Sequence, residues 1–240
     1  MNDQPWYKRF WVVVGLVVIV CIVAVVVLFI WLVLQEYQKI QRGEISQFAN
    51  TSTVNSATNL TNVVSGFVPS RDDDPIRGNP KAAVQIISFE DFQCPYCELA
   101  APIMIQLLQN HPTDVAFVYR DFPLDSVHPQ AINAALAANC ANEQDKFWEY
   151  HDLIFSEQSK LALPGIYRTW ANQLGLNVTD FTACYESQRY LAEIQQDRDE
   201  GILGGVTATP TYFVNGQLVL GVHSVEQWES IVASVVEKTK

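Results

Sequence analysis

The sequence predicts an α/β domain with an inserted α-helical block, preceded by a single N-terminal transmembrane helix. Three observations carry this. Residues 10–34 are 25 consecutive residues without a charge. From residue 83 onward, short β-branched runs alternate with helical patterns. Between about 127 and 205 the helical pattern takes over almost completely. The composition sets outer bounds: 49% of the 240 residues are hydrophobic and 17% charged, which excludes a highly charged disordered chain. A formal net charge of −11 argues against a basic nucleic-acid binder, because such a chain repels the phosphate backbone.

The first element is Phe10 to Leu34. As a helix it spans roughly 37 Å, more than the ~30 Å hydrocarbon core of a bilayer. Trp6, Tyr7 and Trp11 at one end and Trp31 and Tyr37 at the other resemble interfacial aromatic belts. A cleavable signal peptide is the alternative, but its apolar region runs ~7–15 residues and ends in a small-residue cleavage site. Trp31-Leu-Val-Leu-Gln-Glu offers no such site, so the segment reads as an uncleaved anchor in the lipid bilayer. Lys8 and Arg9 precede it, while Lys39 and Arg42 beyond it are diluted by Glu36 and Glu44. The positive-inside rule therefore puts residues 1–9 in the cytoplasm and the remainder outside, at the outer face of the plasma membrane or in a periplasm. Cys21, mid-span, reads as a small apolar residue.

Residues 35–71 read as a polar stalk. Within 46–70, 14 residues are Ser, Thr, Asn or Gln, with no lasting apolar period. Asn50-Thr-Ser, Asn59-Leu-Thr and Asn177-Val-Thr match the glycosylation sequon. The domain occupies 72–240. Residues 83–90 (AVQIISFE) predict a buried strand, 95–109 a helix with Pro95 near its start, and 114–120 (DVAFVYR) a second strand. Helical patterns follow in 131–155, 166–175, 178–187 and 189–202. Tyr212–Val214 and Leu218–Leu220 flank Asn215-Gly216, a strong hairpin signal. Ser224 predicts the cap of a last helix reaching Glu237.

The chemistry lies in the cysteines. Cys94-Pro95-Tyr96-Cys97 falls just after a strand and at the opening of a helix. Helix N-terminal N–H groups favour an anion, so the thiol at the helix mouth should be acidified. A second thiol one turn on can resolve a mixed disulfide within the chain. Cys94 is thus the expected nucleophile and Cys97 the resolving thiol. A zinc site needs two more ligands, usually a closely spaced pair. Cys140 and Cys184 lie 44 residues apart, and His111, His128, His151 and His223 are scattered, so no metal is expected. A purely structural Cys94–Cys97 disulfide remains the other alternative.

Phe92-Gln-Cys-Pro-Tyr-Cys, Asp73-Asp-Pro-Ile-Arg-Gly-Asn-Pro-Lys-Ala, Lys146-Phe-Trp-Glu-Tyr-His-Asp and Thr209-Pro-Thr-Tyr-Phe-Val-Asn-Gly resemble motifs of the DsbA-like thioredoxin-fold oxidoreductases. They are similar to motifs of that family's membrane-anchored and Gram-positive-type members, and the resemblance covers roughly 72–236. The resemblance implies a thioredoxin fold with the helical block inserted, and a redox-active Cys94–Cys97 disulfide needing no other cofactor. It makes Pro210 the cis-proline facing that pair, with the backbone of Thr209 open to a substrate strand. Pro95 and Tyr96 tune the potential. Strongly oxidising relatives have His where this chain has Tyr96, so a milder oxidant is expected, between roughly −120 and −270 mV. The expected partners are reduced exported proteins and a quinone-linked membrane protein that restores the disulfide.

One departure from the pattern stands out. Many relatives carry a buried acid six residues before the nucleophile, where this chain has Ser88. Glu90 shares a strand face with Ser88 and is the candidate substitute. A strand-end carboxylate in solvent is the equal alternative. Asp91 reads as solvated or helix-capping, His128 as a helix-start residue, and Gly204-Gly205 as a turn. Cys140 and Cys184 are either two buried thiols or a bridge closing a loop of about 45 residues, and the bridge is the favoured reading. A reductase or isomerase using the same site, a copper metallochaperone and a redox-silent holdase are the competing functions. Residues 35–71 look too short and polar to supply the dimerisation domain usual in isomerases. Residues 81–240 carry 9 Lys+Arg and 20 Asp+Glu, so the whole net charge belongs to the domain.

Overall fold

The computed structural model describes residues 70–238 and, nearer the N-terminus, residues 16, 19, 24, 26–31 and 35. The chain divides into two units, Met1–Asn59 and Leu60–Lys240. In the first, all the described residues are helical, and Leu16, Ile19 and Val26 through Trp31 expose their side chains. Among the described residues no helix is long and apolar enough to cross a membrane. The rest of the 10–34 span with Cys21, residues 1–9, and residues 36–69 of the stalk with Asn50 and Asn59 lie outside them.

In the second unit a five-stranded sheet runs in the order β1-β3-β2-β4-β5. The strands are β1 (Ile76–Gly78), β2 (Val84–Glu90), β3 (Val115–Asp121), β4 (Thr211–Val214) and β5 (Gln217–Leu220). The central pair β2/β3 is parallel; every other pairing is antiparallel. The β2 and β3 residues are buried almost without alternation because helices cover both faces of a parallel pair. On one face α1 (Pro95–Asn110) and α7 (Val225–Lys238) bury Met104, Leu107, Trp228 and Val232 against Val84, Ile86, Phe117 and Tyr212. On the other face Ile87, Phe89, Val118 and Phe213 pack together. There Gly201 of α6 (Leu191–Leu203) approaches so closely that a Cβ would stand 2.8 Å from Phe122 and 2.9 Å from Phe89.

Between β3 and β4 lie the remaining helices: α2 (Ala131–Asn142), α3 (Phe147–Ser156), a short 3-10 turn (Gln158–Lys160), α4 (Ile166–Gln173), α5 (Val178–Glu186) and α6. Cys140 of α2 and Cys184 of α5 are joined in a disulfide, with Cα atoms 5.8 Å apart. Asn177 accepts hydrogen bonds from Thr179 N and Asp180 N, so this sequon asparagine is the N-cap of α5. Asn215 and Gly216 both take positive φ, as a two-residue hairpin of opposite hand requires. Ser224 and Gln227 bond reciprocally at the start of α7, a capping box.

Two elements differ from the sequence expectation. The single helical run read over 131–155 is two helices. Asp145 enters the left-handed region (φ 57°) and Lys146 N–H closes back on Ala141 O, ending α2 before α3 begins. Strand β1 was not expected, since Pro75 and Gly78 bracket it as loop signals. Gly78 (φ 97°) fits because a Cβ there would stand 2.7 Å from Val115 O.

Candidate active site

Strand β2 delivers the site. Its pairing sets Ser88 beside Tyr119 of β3 and Tyr212 of β4, in one row across the sheet. The chain then turns into α1, held by Asp91: its backbone O accepts from Cys94 N (3.0 Å) and its Oδ1 from Gln93 N (2.7 Å). Cys94 is the extended N-cap residue of α1 (φ −72°, ψ 123°), and Pro95 follows as the first helical residue, where its missing N–H costs nothing. Cys94 O accepts from Cys97 N and Glu98 N, both at 3.1 Å. Its Sγ–H donates to Thr209 O at 3.4 Å, across a cis Thr209–Pro210 peptide. Both cysteines are free thiols, buried except for a 4% exposed edge of Cys94. Thr209 and Pro210 are buried beside them, whereas Tyr96 is 62% exposed.

The two thiols are driven apart electrostatically. The hydrogen bond from Cys97 is the main cause that lowers Cys94 from 9.0 to about 6; burial opposes it, while Thr209 and the backbone N–H groups of Cys97 and Tyr96 assist. Burial, with the hydrogen bond to Cys94 and the charge of Glu90, pushes Cys97 well above its usual value. The sulfur at the 4% exposed edge is thereby the more acidic of the two, and its neighbour is the one that favours keeping its proton.

Glu90 is 2% exposed, so its solvent-facing alternative is ruled out. Ser88 Oγ donates to Glu90 Oε1 at 2.5 Å, so the residue at the family's acid position and the candidate substitute are joined in the interior. Asp91 is 1% exposed and so is not solvated either. Its Oδ2 accepts from Leu124 N (2.8 Å) and faces His128 Nδ1 (2.7 Å). That bond draws His128 into the turn before α2, three residues ahead of the helix. Gly204 ends α6 and Gly205 turns with φ 91°.

Sequence reasoning missed four residues at the site. Gln158 Nε2 donates to both Phe92 O and Cys94 O at 3.0 Å, a tie from the helical block that no motif announces. Tyr119 and Tyr212 bury hydroxyls beside the acid; burial first, then nearby carboxylates, keep both protonated. His151 is buried among Phe92, Tyr119, Phe147 and Phe155. A signal for it existed: Phe147, His151 and Phe155 recur at fourfold spacing on one helical face.

The thioredoxin family model matches residues 70–234. The chain belongs to the thioredoxin family. Solved structures that share its fold include DsbA proteins and a thioredoxin-like oxidoreductase. α-DsbA1 of Wolbachia pipientis superposes with a TM-score of 0.63 at 18% identity, covering 72% of this chain and 98% of that one. Oxidised BdbD of Bacillus subtilis gives 0.63 at 20% identity, covering 70% and 96%. A thioredoxin-like oxidoreductase from Silicibacter pomeroyi gives 0.59 at 25% identity, covering 70% and 94%. Among curated proteins, the Na(+)/H(+) antiporter NhaA 3 of Salinispora tropica is 39% identical over 163 residues, 68% of this chain and 25% of the antiporter. NhaA 1 of Salinispora arenicola is 37% identical over 169 residues, 70% and 26%. The chain thus spans about a quarter of the length of the curated relatives it matches.

Proposed function

We propose that this chain is a membrane-tethered, extracytoplasmic thiol:disulfide oxidoreductase of the Gram-positive DsbA type that introduces disulfides into exported proteins. The observation that carries it is the split between Cys94, held at about 6, and Cys97, held high, at the start of α1. A stabilised thiolate favours the reduced enzyme, which makes the corresponding disulfide oxidising. A thiol lowered below its usual value at a helix start is what such a nucleophile needs.

In the cycle, a substrate thiolate attacks Cys94 Sγ of the Cys94–Cys97 disulfide. The S–S bond breaks, Cys97 leaves with the electron pair and takes a proton, and a mixed disulfide joins Cys94 to the substrate. Thr209 offers its carbonyl and Tyr96 an exposed ring to the bound segment. A second substrate thiolate then attacks the substrate sulfur and releases Cys94 as the stabilised thiolate. Two electrons have passed from the substrate dithiol to the enzyme, and a quinone-linked partner in the bilayer, reached through the 10–34 anchor, removes them.

The test is oxidation of a reduced, unfolded model protein by the full chain in detergent. Cys94→Ala should abolish it, and full activity in that variant overturns the mechanism. The potential of the pair against glutathione decides direction: a value near ~−270 mV, that of thioredoxin, replaces oxidase by reductase.

A further inference from the structure

Two buried polar atoms at the site face one another without a hydrogen bond. Among the described residues, neither Glu90 Oε2 nor His151 Nε2 has a hydrogen-bond partner, and they lie 3.8 Å apart. Leaving either polar atom unpaired in a dry interior costs free energy, so the juxtaposition calls for a use. Closing the gap by roughly 0.7 Å makes a hydrogen bond. On its other side the imidazole is already engaged: Nδ1 stands 2.9 Å from Asp152 Oδ1. The Asp152 side chain is 37% exposed and anchored by Arg77 of β1 at 2.7 and 3.1 Å. The aromatic rings around His151 leave it these two polar outlets, one inward and one outward. The other titratable groups facing the cluster are Cys97 of α1, Tyr119 of β3 and Tyr212 of β4. Both tyrosines are held protonated and do not compete as acceptors.

We propose that His151 is a positioning residue that passes the Cys97 proton between Glu90 and the surface carboxylate of Asp152. This rests on Cys97 as the resolving thiol. When Cys97 attacks Cys94 in a mixed disulfide, its Sγ–H proton goes to Glu90. Glu90 hands it to His151 Nε2 while Nδ1–H is released toward Asp152 and water. The Cys97 thiolate forms the new S–S bond, and the departing thiolate takes its proton from solvent. In the opposite direction the same path reprotonates Cys97. Burial lowers His151, but Asp152 and Glu90 outweigh it and the net shift is upward, which favours an imidazole that accepts the proton in transit.

The experiment isolates that step. The full reduced chain in detergent is converted to the Cys94–glutathione mixed disulfide, and glutathione release is timed between pH 5.5 and 8. His151→Gln and Asp152→Asn should each slow release about tenfold near pH 6.5 and flatten its pH dependence, a fraction of the ~10²–10⁴ typical of acid–base assistance. The pH midpoint of Cys94 alkylation should stay put in both. Wild-type rates and pH profiles in both variants overturn the relay. If His151→Gln fails to fold, Asp152→Asn decides alone, since its side chain is part-exposed. Slow release in Glu90→Gln with normal release in Asp152→Asn also sinks the relay while leaving the redox reading intact. Failure of the wild type to release glutathione at all would instead remove Cys97 as the resolving thiol.

Discussion

Replacing Cys97 by Ala removes the largest single cause that holds Cys94 at about 6. What remains is two backbone N–H groups and Thr209 against burial. The Cys94 midpoint should therefore climb by at least ~1 unit toward the unperturbed thiol. At pH 7 a midpoint of about 6 leaves roughly nine tenths of Cys94 as thiolate; about 7 leaves half, and 9.0 leaves about one hundredth. Cys97→Ser keeps a hydroxyl donor in the same place and should fall between. The assay is the rate of iodoacetamide alkylation of Cys94 from pH 4 to 10, with the midpoint read from the profile. A midpoint within ~0.3 unit of wild type in Cys97→Ala would refute the assignment of the inter-thiol hydrogen bond as the main acidifying force, and shift that role to the helix start.

Three further outcomes follow from the packing. Cys140→Ala/Cys184→Ala opens a loop of about 45 residues and should cost about 4 kcal/mol in the chain-entropy model, checked by urea unfolding without reductant. Gly201→Ala drives a methyl into Phe89 and Phe122 at under 3 Å and should cost about 1–3 kcal/mol, read as a lower midpoint at unchanged m-value. Burial lifts Asp121 to about 7 and Asp197 to about 8, so the fold retains protons that the unfolded chain releases from about pH 4 upward. Their contribution is full below the unfolded value and lost as pH rises through 7 to 8; melting should fall by several degrees from pH 5 to 8.5 and less in Asp121→Asn, whereas a rising Tm contradicts the sign.

The elements that could be read from sequence are those whose signals are local. Asn215-Gly216, Ser224 with Gln227, Pro95 after Cys94, and the β-branched and aromatic residues of β2 and β3 each settle their own conformation within a few residues. The sheet edge β1 was illegible because three residues without periodicity owe their strand to pairing with β3, some forty residues away. The site divides the same way. The Cys94–Cys97 spacing speaks for itself, but the fate of Glu90, Asp91 and His151 depends on which elements cover them. A carboxylate at a strand end looks the same in sequence whether α3 closes over it or water does. Gln158 carried no signal at all, since its work is to donate to two carbonyls 64 and 66 residues earlier.

That glutamine bears on how separable the parts are. The turn around Cys94 is held from the helical block at three places: Gln158 on Phe92 O and Cys94 O, His128 on Asp91, and Gln130 N on Gln93 Oε1. A chain trimmed back to the five strands and their two flanking helices would keep every cysteine of the redox pair and lose the fastenings of the loop that presents them. The inserted helices are therefore part of the reactive centre's foundation, and variation within them is constrained along one inner edge while the outer faces stay open to change.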